Sequence, residues 1–394
     1  MGANTKEPVA SNFQFLEVIT QSLLNTVQSR SLYVWAMNNS TSTASDIYTE
    51  EEQGRAEEEK ARSEWDFRLC TVVSPGQVPD IVGAIDFDPT DRLVASGGIA
   101  RKIRIYSLRT LLPPEGHAGG AVAFYDHSTA CDFYICTPAK LGSLRWRPAS
   151  GGRVLCSGDY DGVVTEYDVE RRVAVFERDE HAGRHVRSLW DTRCGGRGSV
   201  AVARAGAAVC GVEFDPGGGP WVGVGSADRH AYVYDVRAVS AGPVAVFAGH
   251  GRAVTYVRFA GGRGRAVVSS GTDNSHRLWD WVGGGGGGGV EEVRAYRGHA
   301  NALRFVGMSV WRTGRLVASG SESNEVFVYD LRLEEPIWVR GFEDHGREAE
   351  SGFVSAVSWR QAAETEAQAD GALLAGGSNG ALQAFVCKRK TLPN

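Results

Sequence analysis

The sequence predicts an all-β ring built from repeated antiparallel sheets, and three observations carry that prediction. Six segments end a strand-like run with the same punctuation: a small residue, then Asp or Asn, then an aromatic-Asp pair or its remnant. They are LVASGGIARKIRIYSL, VLCSGDYDGVVTEYDV, VGVGSADRHAYVYDVR, AVVSSGTDNSHRLWDW, LVASGSESNEVFVYDL and LLAGGSNGALQAFVCK. Two Gly-His pairs, Gly249-His250 and Gly298-His299, punctuate the same region. Glycine supplies 50 of the 394 residues, well above the usual ~7 %, and much of it sits where an all-β meander must turn.

A repeat of this kind, about 40–50 residues long, is the signature of WD40 β-propeller blades. One blade cannot bury its own faces, so blades must stack around a ring. The residues opening the turns are Gly97, Gly158, Ser226, Gly271, Ser321 and Ser378, with steps of 61, 68, 45, 50 and 57. The step of 68 is too long for one compact blade and too short for two. It holds HVRSLWDTRCGGRGSVAVARAGAAV, with Trp190-Asp191 but no small-Asp turn before it. That reads as a blade that has lost one or two strands. A six-bladed ring with a long insertion and a defective gene model are the other readings. The expected architecture is six complete blades plus a partial seventh over residues 65–388.

Residues 1–64 read as a disordered acidic tail, with a transient helix over Phe13 to Met37 and a glutamate run from Glu50 to Glu59. Residues 389–394 form a second short tail. Phe67, Leu69, Thr71 and Val73 alternate with their neighbours as a strand requires. The last segment, Ala381 to Val386, looks like a third strand with nothing after it. The strand at 67–73 is therefore expected to complete the last blade, so that no sheet edge is left open. Gly283–Gly289 read as a flexible loop between the third and fourth strands of one blade.

Apolar residues make up 42 % of the chain, enough for a core, and the net charge of −5 argues against a nucleic-acid partner. The seven cysteines are scattered, odd in number and free of any CxxC pair. They suggest neither a disulfide framework nor a zinc site, and fit reduced thiols in a cytosolic or nuclear protein. No uncharged apolar run of 18 residues exists, so no membrane partner is expected. No P-loop, GxGxxG after a strand, HExxH or EF-hand pattern is present. Neither an enzyme class, a cofactor nor a metal gains support.

His250, Ser269 or Ser270, Asp273 and Trp279 fall in the order of a hydrogen-bond relay that joins an inter-blade loop, a tight turn and an indole N–H. The same residue types make a hydrolase triad, but no nucleophile elbow surrounds them. A structural relay satisfying buried polar groups is the better reading. Three sites read aromatic-Asp-x-Arg and end on Arg193, Arg237 and Arg332. An Arg so placed is either a plain surface partner of its Asp or an interface anchor, for which its planar fork is suited.

The strings EWDFRLCTVVSP, GSADRHAYVYDVR, TDNSHRLWD, YRGHANALRFVGM and GSESNEVFVYDL together resemble the plant repressors of UV-B photomorphogenesis, the RUP proteins. They are also similar to the propellers of the constitutively photomorphogenic ubiquitin ligase and the suppressors of phytochrome A. The resemblance spans roughly residues 64–388. No Cys or His precedes Cys70, so the ligands of a RING are missing from the leading segment. The resemblance implies a non-enzymatic repressor that binds the UV-B photoreceptor, returns it to its inactive dimer, and resides in nucleus and cytoplasm. It also implies a pocket for Val-Pro peptides, including those of transcription factors, at Lys140, Tyr160, Arg184, Arg229, Arg252 and Phe305. Arg187 stands where the family pattern has a Trp at the pocket floor. For Arg193, Arg237 and Arg332 the resemblance implies docking to the adaptor propeller of a cullin-4 ligase. A cullin-4 substrate receptor and a structural scaffold are the rival functions.

Overall fold

The punctuation between strands has a conformational cause. In the computed structural model, the turn after the second strand of each blade carries a residue with left-handed backbone. These are Arg101 (φ 55°), Gly162 (φ 89°), Arg229 (φ 76°), Asn274 (φ 60°), Asn324 (φ 60°) and Gly380 (φ 95°). Gly and Asn enter that region most readily, which accounts for four of the six. The acid or amide just ahead braces the turn as an Asx cap. Asp159 Oδ1 accepts the Asp161 and Val163 backbone N–H groups at 3.0 and 2.8 Å, and Asn379 Oδ1 accepts that of Ala381 at 3.0 Å.

The structure describes residues 13–14, 58–74, 80–112, 121–179, 186–191, 201–204, 207–261, 266–281, 289–313, 315–342, 352–361 and 371–390. They form a β-propeller with six blades. Blade 1 is Val82–Phe87, Leu93–Gly98, Lys102–Ser107 and Cys131–Cys136. Blade 2 is Leu141–Trp146, Val154–Asp159, Val164–Asp168 and Val173–Arg178. Blade 3 is Val209–Phe214, Trp221–Ser226, His230–Asp235 and Ala245–Ala248. Blade 4 is Val254–Phe259, Ala266–Gly271, Ser275–Trp281 and Val290–Tyr296. Blade 5 is Met308–Trp311, Leu316–Ser319, Glu325–Asp330 and Pro336–Gly341. Blade 6 is Val354–Trp359, Gly371–Gly377, Leu382–Arg389 and Trp65–Ser74. A separate three-stranded sheet joins Phe13–Gln14, Val186–Asp191 and Ala201–Arg204. Phe13 and Gln14 are thus in a strand, not a helix, while the rest of the expected tail up to residue 57 lies outside the described residues. The glycine run falls between the third and fourth strands of blade 4, and 283–288 lie outside the described residues.

All inner strands start on one face. There the turn after the second strand donates to the residue leading into the first: Ile99 N to Ile81 O, Tyr160 N to Lys140 O, Thr272 N to Ala253 O and Ser378 N to Phe353 O. On the opposite face the residue after the third strand donates to the one before the second: Leu108 N to Arg92 O, Val169 N to Arg153 O, Val236 N to Pro220 O and Leu331 N to Arg315 O. The first is called the upper face and the second the lower.

Blades grip one another at the lower ends of their inner strands. Each of these strands ends near an aromatic: Phe87, Trp146, Phe214, Phe259, Trp311 or Trp359. A polar side chain of one blade accepts the aromatic's backbone N–H from the next: Trp146 to Asp86 at 2.8 Å, Phe259 to Glu213 at 2.7 Å, Trp359 to Ser309 at 3.0 Å. Trp311 and Trp359 also stack, with centroids 5.3 Å apart. An aromatic pair of this kind adds about 0.5–1.5 kcal/mol beyond its buried area.

The ring closes through the N-terminal strand. Trp65–Ser74 pairs antiparallel with Leu382–Arg389, Phe67 opposite Cys387 and Val73 opposite Leu382. Glu64 locks the junction. Its carbonyl accepts the Lys390 N–H at 2.8 Å, and its buried carboxylate pairs with Arg332 at 2.6 Å and with Arg389. Burial pushes the Glu64 carboxyl up, but the two guanidiniums outweigh it and hold it below the usual carboxylate range.

The first step of 61 residues has a cause that sequence reading missed. Between the third and fourth strands of blade 1 the chain inserts a helical turn, Leu108–Leu111, a strand, Ala123–Asp126, and a second turn, His127–Ala130. The inserted strand pairs parallel with Trp65–Ser74, so the closing strand is held on both edges. His127 fixes the insertion, with Nδ1 2.9 Å from the Tyr106 hydroxyl and Nε2 2.8 Å from the Gly380 carbonyl.

The relay in blade 4 forms as the residue order suggests. His250 Nδ1 lies 3.1 Å from Asp273, and Nε2 lies 2.7 Å from Ser269 Oγ, which accepts the Trp279 indole N–H at 2.8 Å. Ser269, not Ser270, is the link. Burial works against the Asp273 charge, yet hydrogen bonds from His250, Ser275 and the Gly251 N–H hold it well below the usual range. Beside it, His276 and His299 stack face to face at 3.9 Å, both buried. His299 Nδ1 meets the Tyr329 hydroxyl at 2.9 Å.

Two outcomes are expected. A chain starting at residue 58 keeps the ring and elutes as a monodisperse species in size-exclusion chromatography. One starting at residue 76 bares the edge of Leu382–Arg389 and aggregates. The second concerns pH. Burial lowers the His299 pKa to about 4, and lowers that of His276 well below its ordinary value. Both imidazoles are neutral in the fold, while the unfolded chain takes up protons near pH 6.5. Stability is therefore full above about pH 6.5 and falls toward pH 4, by at most about 1.4 kcal/mol per pH unit per imidazole. Urea unfolding at pH 7.5, 6 and 5 reads this loss, and it should be smaller in His276→Phe.

Candidate functional site: a basic and aromatic upper face

The upper face is built from loops leading into the inner strands and from the tight turns. Lys140 is exposed, and its carbonyl accepts the Tyr160 N–H at 2.9 Å, so these two residues of blade 2 are adjacent. Tyr160 is half-buried, and burial raises its hydroxyl pKa. A half-buried aromatic ring and an exposed lysine on adjoining backbone suit a peptide that is apolar at its core and acidic at its flanks.

Arg252 of blade 4 and the turn carrying Phe305 of blade 5 meet on the same face. Exposed Arg252 reaches over to donate to the Ala302 carbonyl at 3.2 Å, and Phe305, further along the same turn, packs half-buried on the cluster that holds Tyr256 and Met308. Arg229 occupies the tight turn of blade 3, exposed on the same face, in left-handed backbone that favours Gly or Asn. No contact joins Arg229 to either pair among the described residues. Arg184 lies outside the described residues, as does the side chain of Arg187.

Sequence reading gave no role to Glu322, which organises this region. One oxygen of its carboxylate accepts the backbone N–H groups of Ala302, Leu303 and Arg304 at 2.9, 2.6 and 2.6 Å. The turn so pinned presents Leu303 at 67 % exposure and sets Arg304 over the Phe353 ring at 4.6 Å. The string GSESNEV contains this Glu, but only folding reveals three amides converging on it.

The arginine candidates sit on the lower face and are not equivalent. Arg237 is 62 % exposed and forks onto Asp235 at 2.9 and 2.6 Å. That contact lowers the Asp235 pKa and raises that of Arg237. Arg332 forks onto buried Asp330 in the same way, but its guanidinium also holds Glu64 at the ring junction. The Asp330 hydrogen bond is the main cause of its raised pKa. Arg193 lies outside the described residues. No group of His, Cys, Asp and Glu side chains poised to hold a metal occurs among the described residues, and no helix there is long and apolar enough to cross a membrane.

Comparison with known proteins agrees with the repeat. Residues 241–280 match the WD domain, G-beta repeat. The chain is 50 % identical over 340 residues to WD repeat-containing protein RUP2 of Arabidopsis thaliana, covering 79 % of this chain and 89 % of that one. It is 48 % identical over 353 residues to RUP1 of the same plant, covering 83 % and 86 %. The E3 ubiquitin-protein ligase COP1 of Pisum sativum is 33 % identical over 311 residues, covering 71 % of this chain and 42 % of the ligase. A six-bladed propeller matching the RUP proteins over most of their length is a member of their family: the chain belongs to the RUP group of WD repeat-containing proteins.

Proposed function

We propose that this protein is a non-catalytic interaction propeller of plant light signalling. Its upper face takes the UV-B photoreceptor and Val-Pro-containing transcription factors, and it acts as a negative-feedback repressor in nucleus and cytoplasm. The observation that supports the reading most is the placement on one face of a RUP-family ring of Lys140 next to the Tyr160 backbone, and of Arg252 bonded to the Ala302 carbonyl in the turn that leads to Phe305. Charges steer an acidic peptide and the rings cover its Val-Pro core.

The three-stranded sheet of Phe13–Gln14, Val186–Asp191 and Ala201–Arg204 is, on this reading, the remnant of a seventh blade. Its two longer strands fall between blades 2 and 3 in the chain, and Arg187 lies in one of them. A photoreceptor-tail peptide bearing acidic residues and Val-Pro is titrated by fluorescence polarisation. Tyr160→Ala and Phe305→Ala each weaken binding by about 1–3 kcal/mol, rising salt weakens it further, and Arg187→Trp tightens it. Binding that ignores all these changes places the partner on another surface.

A second reading, substrate receptor for a cullin-4 ligase, is favoured by Arg237, whose exposed fork has only its own Asp235 for a partner among the described residues. Arg237→Ala should cost adaptor co-purification while leaving the melting temperature unchanged. Arg332→Ala should lower the melting temperature instead, because it strips buried Asp330 and Glu64 of their shared guanidinium. Adaptor recovery unaffected by Arg237→Ala leaves that arginine a plain surface residue.

A further inference from the structure

The inner strands enclose a cavity of about 270 Å³ on the ring axis, and its wall includes the strand ends at the lower face. Two acids in that wall are already committed. Asp86 accepts the Trp146 N–H at 2.8 Å and Arg145 at 3.1 Å. Glu213 accepts the Phe259 N–H at 2.7 Å and lies 3.7 Å from Arg258. Both are fixed by the blade-to-blade contacts that hold the ring together.

The donors in the wall are in surplus. Arg312, partly exposed at the end of the blade 5 inner strand, lines the cavity and has no carboxylate within ion-pair distance among the described residues. Ser143 of blade 2 and Ser358 of blade 6 are buried, line the same cavity, and use their hydroxyls in no hydrogen bond among the described residues. The Ser309 hydroxyl of blade 5 accepts the Trp359 N–H at 3.0 Å and keeps its own proton to donate. Among the described residues of the wall, Arg145, Arg258 and Arg312 against Asp86 and Glu213 is three charges against two, a net +1.

We propose that this cavity is a binding site for a phosphate-class oxyanion, reached from the lower face and centred on Arg312. A carboxylate offers two oxygens in one plane. A tetrahedral phosphate offers oxygens in several directions and can meet a guanidinium fork and hydroxyls from separate blades at once. Such a ligand ties blades 2, 5 and 6 together, so it stabilises the ring in proportion to its occupancy. The site is separate from the peptide-binding face and does not depend on it.

The test is isothermal titration calorimetry on the full chain at constant ionic strength, with inorganic phosphate, O-phosphoserine and acetate as probes. Phosphate also stabilises proteins by exclusion from their surface, so heat of binding and saturation are read, not melting temperature alone. We expect saturable binding of inorganic phosphate, of O-phosphoserine, or of both, with the tighter one identifying a free anion or a phosphoryl side chain as the source. Acetate should bind at least tenfold more weakly. Arg312→Gln should lower phosphate affinity at least tenfold with an unchanged melting temperature in chloride, Ser358→Ala should lower it less, and Tyr160→Ala should leave it intact. No saturable binding of either phosphate form, acetate binding as tight as phosphate, or full affinity in Arg312→Gln overturns the proposal.

Discussion

Ring closure is the constraint on which the rest depends. A blade exposes two apolar faces and one unpaired edge, and only a complete circle of neighbours covers the faces. Here the circle is completed by joining the two ends of the fold, Trp65–Ser74 on Leu382–Arg389. The junction is reinforced from three directions: the Glu64 carboxylate between Arg332 and Arg389, the Trp65 ring edge-on to Trp311 at 5.3 Å, and the inserted strand Ala123–Asp126. The insertion is the least expected of these. Without it the outer edge of the closing strand would be exposed; with it, blade 1 clasps blade 6 along a second line.

This architecture separates two chemistries. Loops that lead into the inner strands and the tight turns gather on the upper face and carry Lys140, Tyr160, Arg252 and Phe305. Loops that leave the strands gather on the lower face and carry Asp235 with Arg237, Asp330 with Arg332, and the polar mouth of the axial cavity. The same arginine motif serves two ends there. In blade 3 its fork is left in solvent, while in blade 5 the fork is drawn into the lock around Glu64. What distinguishes them is the segment leading into Trp65, which crosses one site and not the other.

Much of the fold was legible because it rests on local rules. Period-two alternation marked the strands, and the small-Asp punctuation marked turns whose backbone must become left-handed, as at Asn274 and Gly380. The closing strand could be read from Phe67, Leu69, Thr71 and Val73 together with a last blade one strand short. The relay could be read from the order of His250, Asp273 and Trp279, although only contact distances chose Ser269 over Ser270. The candidate site was legible in part, as residues placed on one face by blade position.

Sequence alone determined the repeat, the strand pattern, the turn chemistry and the family, since each is written in residues close together along the chain. Tertiary structure decided the rest. It decided that Ala123–Asp126 leaves blade 1 to pair with blade 6, that Glu322 gathers three amides, and that Arg332 reaches on to Glu64 while Arg237 stays exposed on its own Asp235. It also decided that donors from blades 2, 5 and 6 meet at one cavity. The physical reason is common to all four. These contacts join segments that are apart in the chain, and their geometry exists only once each blade has folded and the circle has set it against its neighbours.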